Sequence, residues 1–305
     1  MGPDAVAPGV DAEAYLRRWG KRVEEELGRR VPERGAEPPE MYRIMRYSLF
    51  AGGKRLRPVL CAAGAEAVGG DPEAAVPAAC ALECIHTYSL VHDDLPAMDD
   101  DDLRRGVPTS HKVFGEGAAI LAGDGLLTLA FGLMADPEMA RRAGAARVIE
   151  GARMLAEAAG ASGMVGGQLL DIRAEERVSG PAELEEIHRR KTGAMIRCSV
   201  CLGGVLGGGS PEALAALARY GERAGLAFQI VDDVLNVEGS PELMGKAAGS
   251  DARHVKATYP ALHGLEASKR LAREACEEAL AALAPLPGGA PALAALARFI
   301  VLRRS

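Results

Sequence analysis

The stretch Cys80-Ala81-Leu82-Glu83-Cys84-Ile85-His86-Thr87-Tyr88-Ser89-Leu90-Val91-His92-Asp93-Asp94-Leu95 is apolar nearly all round when wound as a helix, and it closes on two adjacent carboxylates. A helix without a polar face belongs in the centre of a large bundle. Residues 194–206 have the same character. Around these two segments the chain is rich in Ala, Leu, Glu and Arg, which favour helix, and it has almost no alternating β-branched runs. Helical patterning covers 11–29, 39–51, 56–69, 73–95, 116–134, 138–159, 162–177, 181–206, 211–237, 260–283 and 290–303. Asp71-Pro72-Glu73, Ser179-Gly180-Pro181 and Ser210-Pro211-Glu212 each place Pro at a helix start. The predicted fold is all-α, one bundle of about ten or more helices.

The 305 residues and 48% hydrophobic content suffice for one large core. The Pro- and Gly-rich patches at 34–39, 207–211 and 285–291 are short enough to be loops. One domain over 1–305 is therefore expected, with residues 1–10 poorly ordered. A net charge of −6 speaks against nucleic acid or an anionic membrane as partner. No apolar run is seen to approach the roughly 20 residues of a membrane span, and the start carries no basic-then-apolar segment, so a cytoplasmic location is expected. The six cysteines lie in apolar surroundings and read as buried free thiols; Cys198-Ser199-Val200-Cys201 is only half a zinc site.

Six aspartates fall within ten residues just after the apolar run: Asp93, Asp94, Asp99, Asp100, Asp101 and Asp102. Crowded carboxylates raise one another's pKa unless a cation joins them, and Mg²⁺ with oxygen ligands does so where phosphates also bind. Asp93 and Asp99 would lie about 240° apart on a straight helix. Pro96 should break that helix and let the chain swing Asp99 back beside Asp93. Asp100–Asp102 read as a solvated acidic run. A second pair, Asp232-Asp233, closes the apolar run Leu226–Val231, with Asn236 one turn on. Two such pairs, each ending an apolar helix, are hard to explain as solvation.

Only seven of the 36 basic residues are lysine, so a lysine marks a place where a compact ammonium is wanted. Gly52-Gly53-Lys54-Arg55-Leu56-Arg57-Pro58 puts three cations beside two glycines that would let backbone approach an anion. Arg104-Arg105 follows the aspartates, Lys191-Thr192-Gly193 lies on an otherwise apolar helix, and Lys246 and Lys256 flank Gly249-Ser250-Asp251. Acid clusters and cations together are the equipment for two diphosphates, one bridged by metal and one held directly.

These motifs, in order, resemble the short-chain trans-prenyl diphosphate synthases, and among them the bacterial farnesyl diphosphate synthases. The resemblance runs from about Met41 to the C-terminus and rests on the stretches already quoted, with Gly166-Gly167-Gln168-x2-Asp171, Phe228-Gln229-x2-Asp232-Asp233, Gly245-Lys246 and Lys256-x-Thr258-Tyr259-Pro260. It implies the isoprenoid synthase fold around a central cavity, a homodimer, and three Mg²⁺ per active site. It makes Lys54, Arg57, His86 and Arg105 the isopentenyl diphosphate contacts; His86 would otherwise read as a core histidine. Asp93 and Asp99 become ligands of magnesium on the allylic diphosphate, with Asp94 in support, and Asp232 with Asp233 the ligands of a further magnesium. Arg104, Lys191, Thr192, Gln229, Lys246 and Lys256 become the contacts of the allylic diphosphate and the carbocation. The family usually has Asp where this chain has Asn236, so weaker metal affinity is expected there.

The implied reaction ionises an allylic diphosphate, adds isopentenyl diphosphate to the cation, and leaves pyrophosphate to take the last proton. Ser89 and Tyr88, four and five residues before Asp93, line the path of the growing chain; the Tyr88 ring, at about 7–8 Å depth, would stop it at C15. A C20 product, geranylgeranyl diphosphate, is the alternative. Two further rivals are a terpene cyclase, which needs only one diphosphate site, and a non-catalytic subunit of a heteromeric synthase.

Overall fold

The computed structural model describes residues 9–175, 180–238 and 258–303. In chain order the helices are α1 (Ala12–Arg30), α2 (Pro39–Leu49), α3 (Leu56–Ala67), α4 (Val76–Asp93), α5 (Ser110–Phe114), α6 (Glu116–Met134), α7 (Pro137–Ala143), α8 (Ala145–Ala159), α9 (Met164–Glu175), α10 (Pro181–His188), α11 (Ala194–Leu206), α12 (Pro211–Glu238), α13 (Tyr259–His263), α14 (Leu265–Ala282) and α15 (Pro291–Leu302). A two-residue antiparallel hairpin, β1 (Leu103–Arg104) and β2 (Val107–Pro108), joins α4 to α5.

Local chemistry explains several boundaries. The Asp11 carboxylate accepts the Glu13 and Ala14 N–H groups at 2.9 and 3.1 Å and starts α1. Asp136 caps α7 through the Met139 N–H at 2.9 Å and also takes Arg30 at 2.7 Å, tying that cap to α1. The pattern over 138–159 is two helices, because Gly144 at φ 94° turns the chain; Gly264 at φ 82° divides 260–283 in the same way. The pattern over 181–206 is interrupted too: Arg189–Gly193 form a π turn between α10 and α11. The hairpin and α5 had no periodic signal. Arg105 and Gly106, both at positive φ, make the tight hairpin turn.

α4 is the central helix. It buries residues on every side, including Leu82, Cys84, Ile85 and Tyr88, against α6, α3, α1 and α2. Burying a side chain such as Ile85 contributes about 1.5–3 kcal/mol. α11 packs between α3, α12 and α8. It crosses α3 with backbones nearly touching: a Cβ on Gly203 would lie 1.9 Å from the Cys61 carbonyl oxygen, and one on Gly64 2.2 Å from that of Val200. The main core draws on residues from Tyr15 to Ile300. All six cysteines are buried free thiols, and burial pushes Cys61 up to about 12.

One expectation needs correcting. Pro72–Asp93 and Glu116–Ala143 are both long and apolar enough to cross a membrane by length and composition. In the first, 78% of the apolar window is buried inside the bundle; in the second, only 39%. Single polar residues interrupt both runs, and glycines the second, so neither stands out in the sequence as a continuous apolar stretch.

Candidate active site

α4 ends at Asp93, and the chain beyond Pro96 folds back. The Asp99 N–H donates to the Asp93 carbonyl at 2.8 Å, and the Asp100 N–H to that of Leu95 at 3.1 Å. This turn brings Asp99 beside Asp93. The Asp93 carboxyl is pushed up to about 6, chiefly by burial; Lys191 pulls it down and Asp99 pushes it up again. Asp94 is raised by burial against the pull of Arg104, whose Nε donates to it at 2.9 Å. Asp101 corrects the solvated reading of the acidic run. It is buried, faces Arg104 at 3.2 Å, and its carbonyl accepts the Thr109 hydroxyl at 2.9 Å, because the hairpin turns it under the loop. Asp100 and Asp102 are exposed, and Asp102 pairs with Lys112 at 2.7 Å. Arg104 is thus committed to Asp94 and Asp101.

The second acidic pair divides its work. Asp233 is buried and accepts the Tyr259 N–H at 2.9 Å and the Gln229 amide at 3.5 Å. Burial pushes it up to about 6, with Asp232 and Asp171 adding. Asp232 is bound by Arg303, which also donates to the Phe228 carbonyl at 3.1 Å and lies 4.0 Å above the Phe228 ring centroid. Burial raises Asp232, while Arg303, Arg57 and Lys54 oppose it. Asn236 is exposed one turn on. Behind Asp233, His188 stacks on Tyr259 with ring centroids 5.7 Å apart and is pushed down to about 4 by burial.

The three cations of 54–57 separate. Lys54 is exposed, its ammonium 5.8 Å from the Phe299 ring centroid, and it is lowered by partial burial and by Arg303. Arg55 turns inward and is buried. Among the described residues, the buried Arg57 Nε finds no hydrogen-bond partner. Burial lowers it, against the pull of Glu83 and Asp232. This glycine pair serves a cation rather than an anion: Gly53 makes room for it and Gly52 offers its carbonyl. The Arg105 guanidinium binds the Gly52 carbonyl and lies where a Cβ on Gly53 would fall, at 2.6–2.8 Å. His86 is held well below the usual imidazole range, first by burial and then by Arg57, Arg105, Arg104 and Arg55.

Lys191 and Thr192 ride on the π turn. Lys191 is no lone ammonium on an apolar helix: it meets Asp171 of α9 at 2.8 Å. Asp171 and Gln168 were quoted above only as part of a motif. Asp171 joins the site through Lys191 and Asp233, and both polar atoms of the Gln168 amide are buried without partners among the described residues. Glu83 and Arg303 gave no signal of their own. Tyr88 is buried on α4, edge-on to His92 at 5.8 Å, and its hydroxyl is raised by burial and by Asp93. The Ser89 hydroxyl is used within its own helix, donating to the His86 carbonyl at 2.9 Å. Lys246 and Lys256 lie outside the described residues.

Among the described residues, no three Asp, Glu, His or Cys side chains form a cage of protein ligands for a metal. That donor set suits Mg²⁺, which commonly takes one or two carboxylates and completes its shell with water and substrate phosphates. The half-buried, raised Asp93 beside Asp99 is a fitting pair of hard oxygen donors. Asp232 would first have to release Arg303.

The sequence profile of the polyprenyl synthetase family matches residues 38–284. The chain is 49% identical over 262 residues to a farnesyl diphosphate synthase of Geobacillus stearothermophilus, covering 85% of this chain and 87% of that one. It is 45% identical over 299 residues to a heterodimeric geranylgeranyl pyrophosphate synthase large subunit of Arabidopsis thaliana, covering 97% and 80%. A crystal structure of an FPP/GFPP synthase from Zymomonas mobilis superposes with a TM-score of 0.84 at 34% identity, covering 96% of this chain and 99% of that one. With this fold, these motifs and these matches, the chain belongs to the polyprenyl synthetase family of head-to-tail prenyl transferases.

Proposed function

We propose that the protein condenses dimethylallyl or geranyl diphosphate with isopentenyl diphosphate by head-to-tail 1′-4 addition, giving mainly (2E,6E)-farnesyl diphosphate and pyrophosphate. The observation that carries this reading is the pairing of two sites. Asp93, with Asp99 beside it, faces Lys191 on one side, and on the other Arg57, whose buried Nε has no partner among the described residues, stands with Lys54, Arg105 and a neutral His86. A terpene cyclase has no use for the second set.

In this reading Lys54, Arg57, His86 and Arg105 hold isopentenyl diphosphate. Lys191, with Lys246 and Lys256, holds the allylic diphosphate, and Arg104 keeps Asp94 oriented. Mg²⁺ held by Asp93, Asp99 and, once Arg303 leaves, Asp232, up to three ions in all, would neutralise charge on the departing pyrophosphate. Thr192 and the Gln229 amide turn polar atoms toward the cation left when the allylic C–O bond breaks. The isopentenyl double bond closes on that cation, and pyrophosphate takes the proton that restores the alkene. The apolar walls of α4 and α11 exclude water.

Tyr88, buried on α4 five residues before Asp93, is in this reading the ring that stops the growing chain at C15. Relatives named for C15 and for C20 products are both similar to this chain. A homodimer is favoured by the outer face of α6, where Ile120 is 44% and Leu121 59% exposed with Phe131 on the same stripe. The test incubates the purified protein with Mg²⁺, isopentenyl diphosphate and dimethylallyl diphosphate and chromatographs the dephosphorylated products. Farnesol is the expected product. Geranylgeraniol would move the reading to the C20 enzyme, and no turnover would leave a non-catalytic subunit.

A further inference from the structure

Arg55 lies between two residues assigned to isopentenyl diphosphate, yet it points away from the site. Its side chain is 2% exposed and its backbone takes the left-handed conformation, φ 51°, which a bulky residue adopts only when surroundings enforce it. The enforcement is visible. Its Nε donates to Glu24 of α1 at 3.1 Å, one terminal nitrogen to Glu83 of α4 at 2.7 Å, and the other to the Leu49 carbonyl at the end of α2 at 2.8 Å. Glu83 is 3% exposed and stands three residues before His86 on α4. Its carboxylate is also the strongest charge offsetting the desolvation of the Arg57 and Arg105 guanidiniums.

We infer that the buried Arg55–Glu83 pair is a positioning device for the isopentenyl diphosphate site, setting where Lys54, Arg57 and His86 stand and balancing the charge of the arginines around them. The left-handed turn at Arg55 sends Lys54 and Arg57 to their places at the entry to α3, and the contact with Glu83 locks that entry to the helix carrying His86. Stability alone is a weak reason for such a pair, since apolar residues of similar volume often hold a core as well. Beneath a cluster of cations that must accept a diphosphate, a buried carboxylate has a use that an apolar residue lacks.

This inference rests on the assignment of Arg57 to isopentenyl diphosphate, so the experiment tests the two separately. Steady-state KM values for isopentenyl and geranyl diphosphate are measured for wild type, Arg57→Gln, Arg55→Lys, Glu83→Gln and the double variant Arg55→Met with Glu83→Leu, each with a thermal melt. Arg57→Gln is expected to raise the isopentenyl diphosphate KM alone; if it does not, the site assignment fails and the inference falls with it. If it does, Arg55→Lys and Glu83→Gln should raise the same KM about tenfold, with that for geranyl diphosphate within about twofold. The double variant should recover the melting temperature but not the KM. Recovery of both, or single variants with unchanged KM, reduces the pair to core packing and overturns the inference. Should the single variants fail to fold, Glu24→Gln, which loosens one arm at a half-exposed partner, is expected to raise that KM about two- to threefold, and no change there overturns it equally.

Discussion

Gly167 of α9 stands against the π turn that carries Lys191 and Thr192, and substituting Ala there should disable one substrate site while sparing the other. An added Cβ would lie 2.3 Å from the Lys191 nitrogen, 2.7 Å from its Cα and 2.9 Å from the Arg190 carbonyl carbon. All three are backbone atoms, so no side chain can swing aside. Ordinary contact begins at 3.4 Å, and the π turn must therefore retreat from α9 by about 1 Å. Overpacking of this kind costs about 1–3 kcal/mol, which for a chain of this size lowers the melting temperature by roughly 2–8 °C. The chemistry should suffer more. A displacement of about 1 Å in a positioned group costs up to about 100-fold in rate. The residues assigned to isopentenyl diphosphate lie just before or on α3, on α4 and in the hairpin, and none is part of the π turn that the added Cβ would displace. Single-turnover condensation of geranyl diphosphate at saturating isopentenyl diphosphate should slow by about 10–100-fold, with the isopentenyl diphosphate KM within about twofold of wild type. A Gly167→Ala protein that turns over normally, or that loses isopentenyl diphosphate affinity instead, would refute the placement of the π turn.

Other outcomes are equally open to measurement. Asp93 titrates at about 6 in the folded chain against an ordinary 3.8, so its contribution to stability is full below pH 3.8 and is lost as pH rises through 6. Without metal, Asp93→Asn should therefore be more stable than wild type at pH 7.5, by up to about 3 kcal/mol, and no more stable at pH 4; equal gaps at both pH values would contradict the raised carboxyl. The same variant should lose Mg²⁺-dependent turnover. Tyr88→Ala should lengthen the product from C15 to C20 or beyond, and a variant that still stops at C15 removes Tyr88 as the floor. Arg303→Ala should lower the Mg²⁺ concentration needed for pyrophosphate to stabilise the protein against heat by about threefold or more, since a cation leaves Asp232; an unchanged requirement means that Arg303 does not compete.

Helical class, the central place of residues 80–95 and the return of the chain at Pro96 were legible because each rests on local chemistry: periodicity, absence of a polar face, and a missing N–H. The divisions at Gly144, Gly264 and the π turn were not, because an uninterrupted apolar pattern does not record a change in backbone angle. The acidic run shows the same limit. Asp101 and Asp102 are indistinguishable as neighbours in sequence, yet one is buried against Arg104 and the other pairs with Lys112 at the surface.

By itself, the sequence determined which chemical groups the site has at its disposal: two Asp-Asp pairs, each at the end of an apolar helix, and cations enough for two diphosphates. Only the tertiary structure decided how those groups are shared out. It turns Arg55 away from Lys54 and Arg57 into a buried pair with Glu83, binds Lys191 to Asp171, and brings Arg303 from the far end of the chain onto Asp232. The physical reason is one of range. Side-chain chemistry and helix periodicity act over a few neighbouring residues, whereas the partner of a charge is set by which helices pack together, and α1, α4, α9 and α15 meet this site from widely separated parts of the chain.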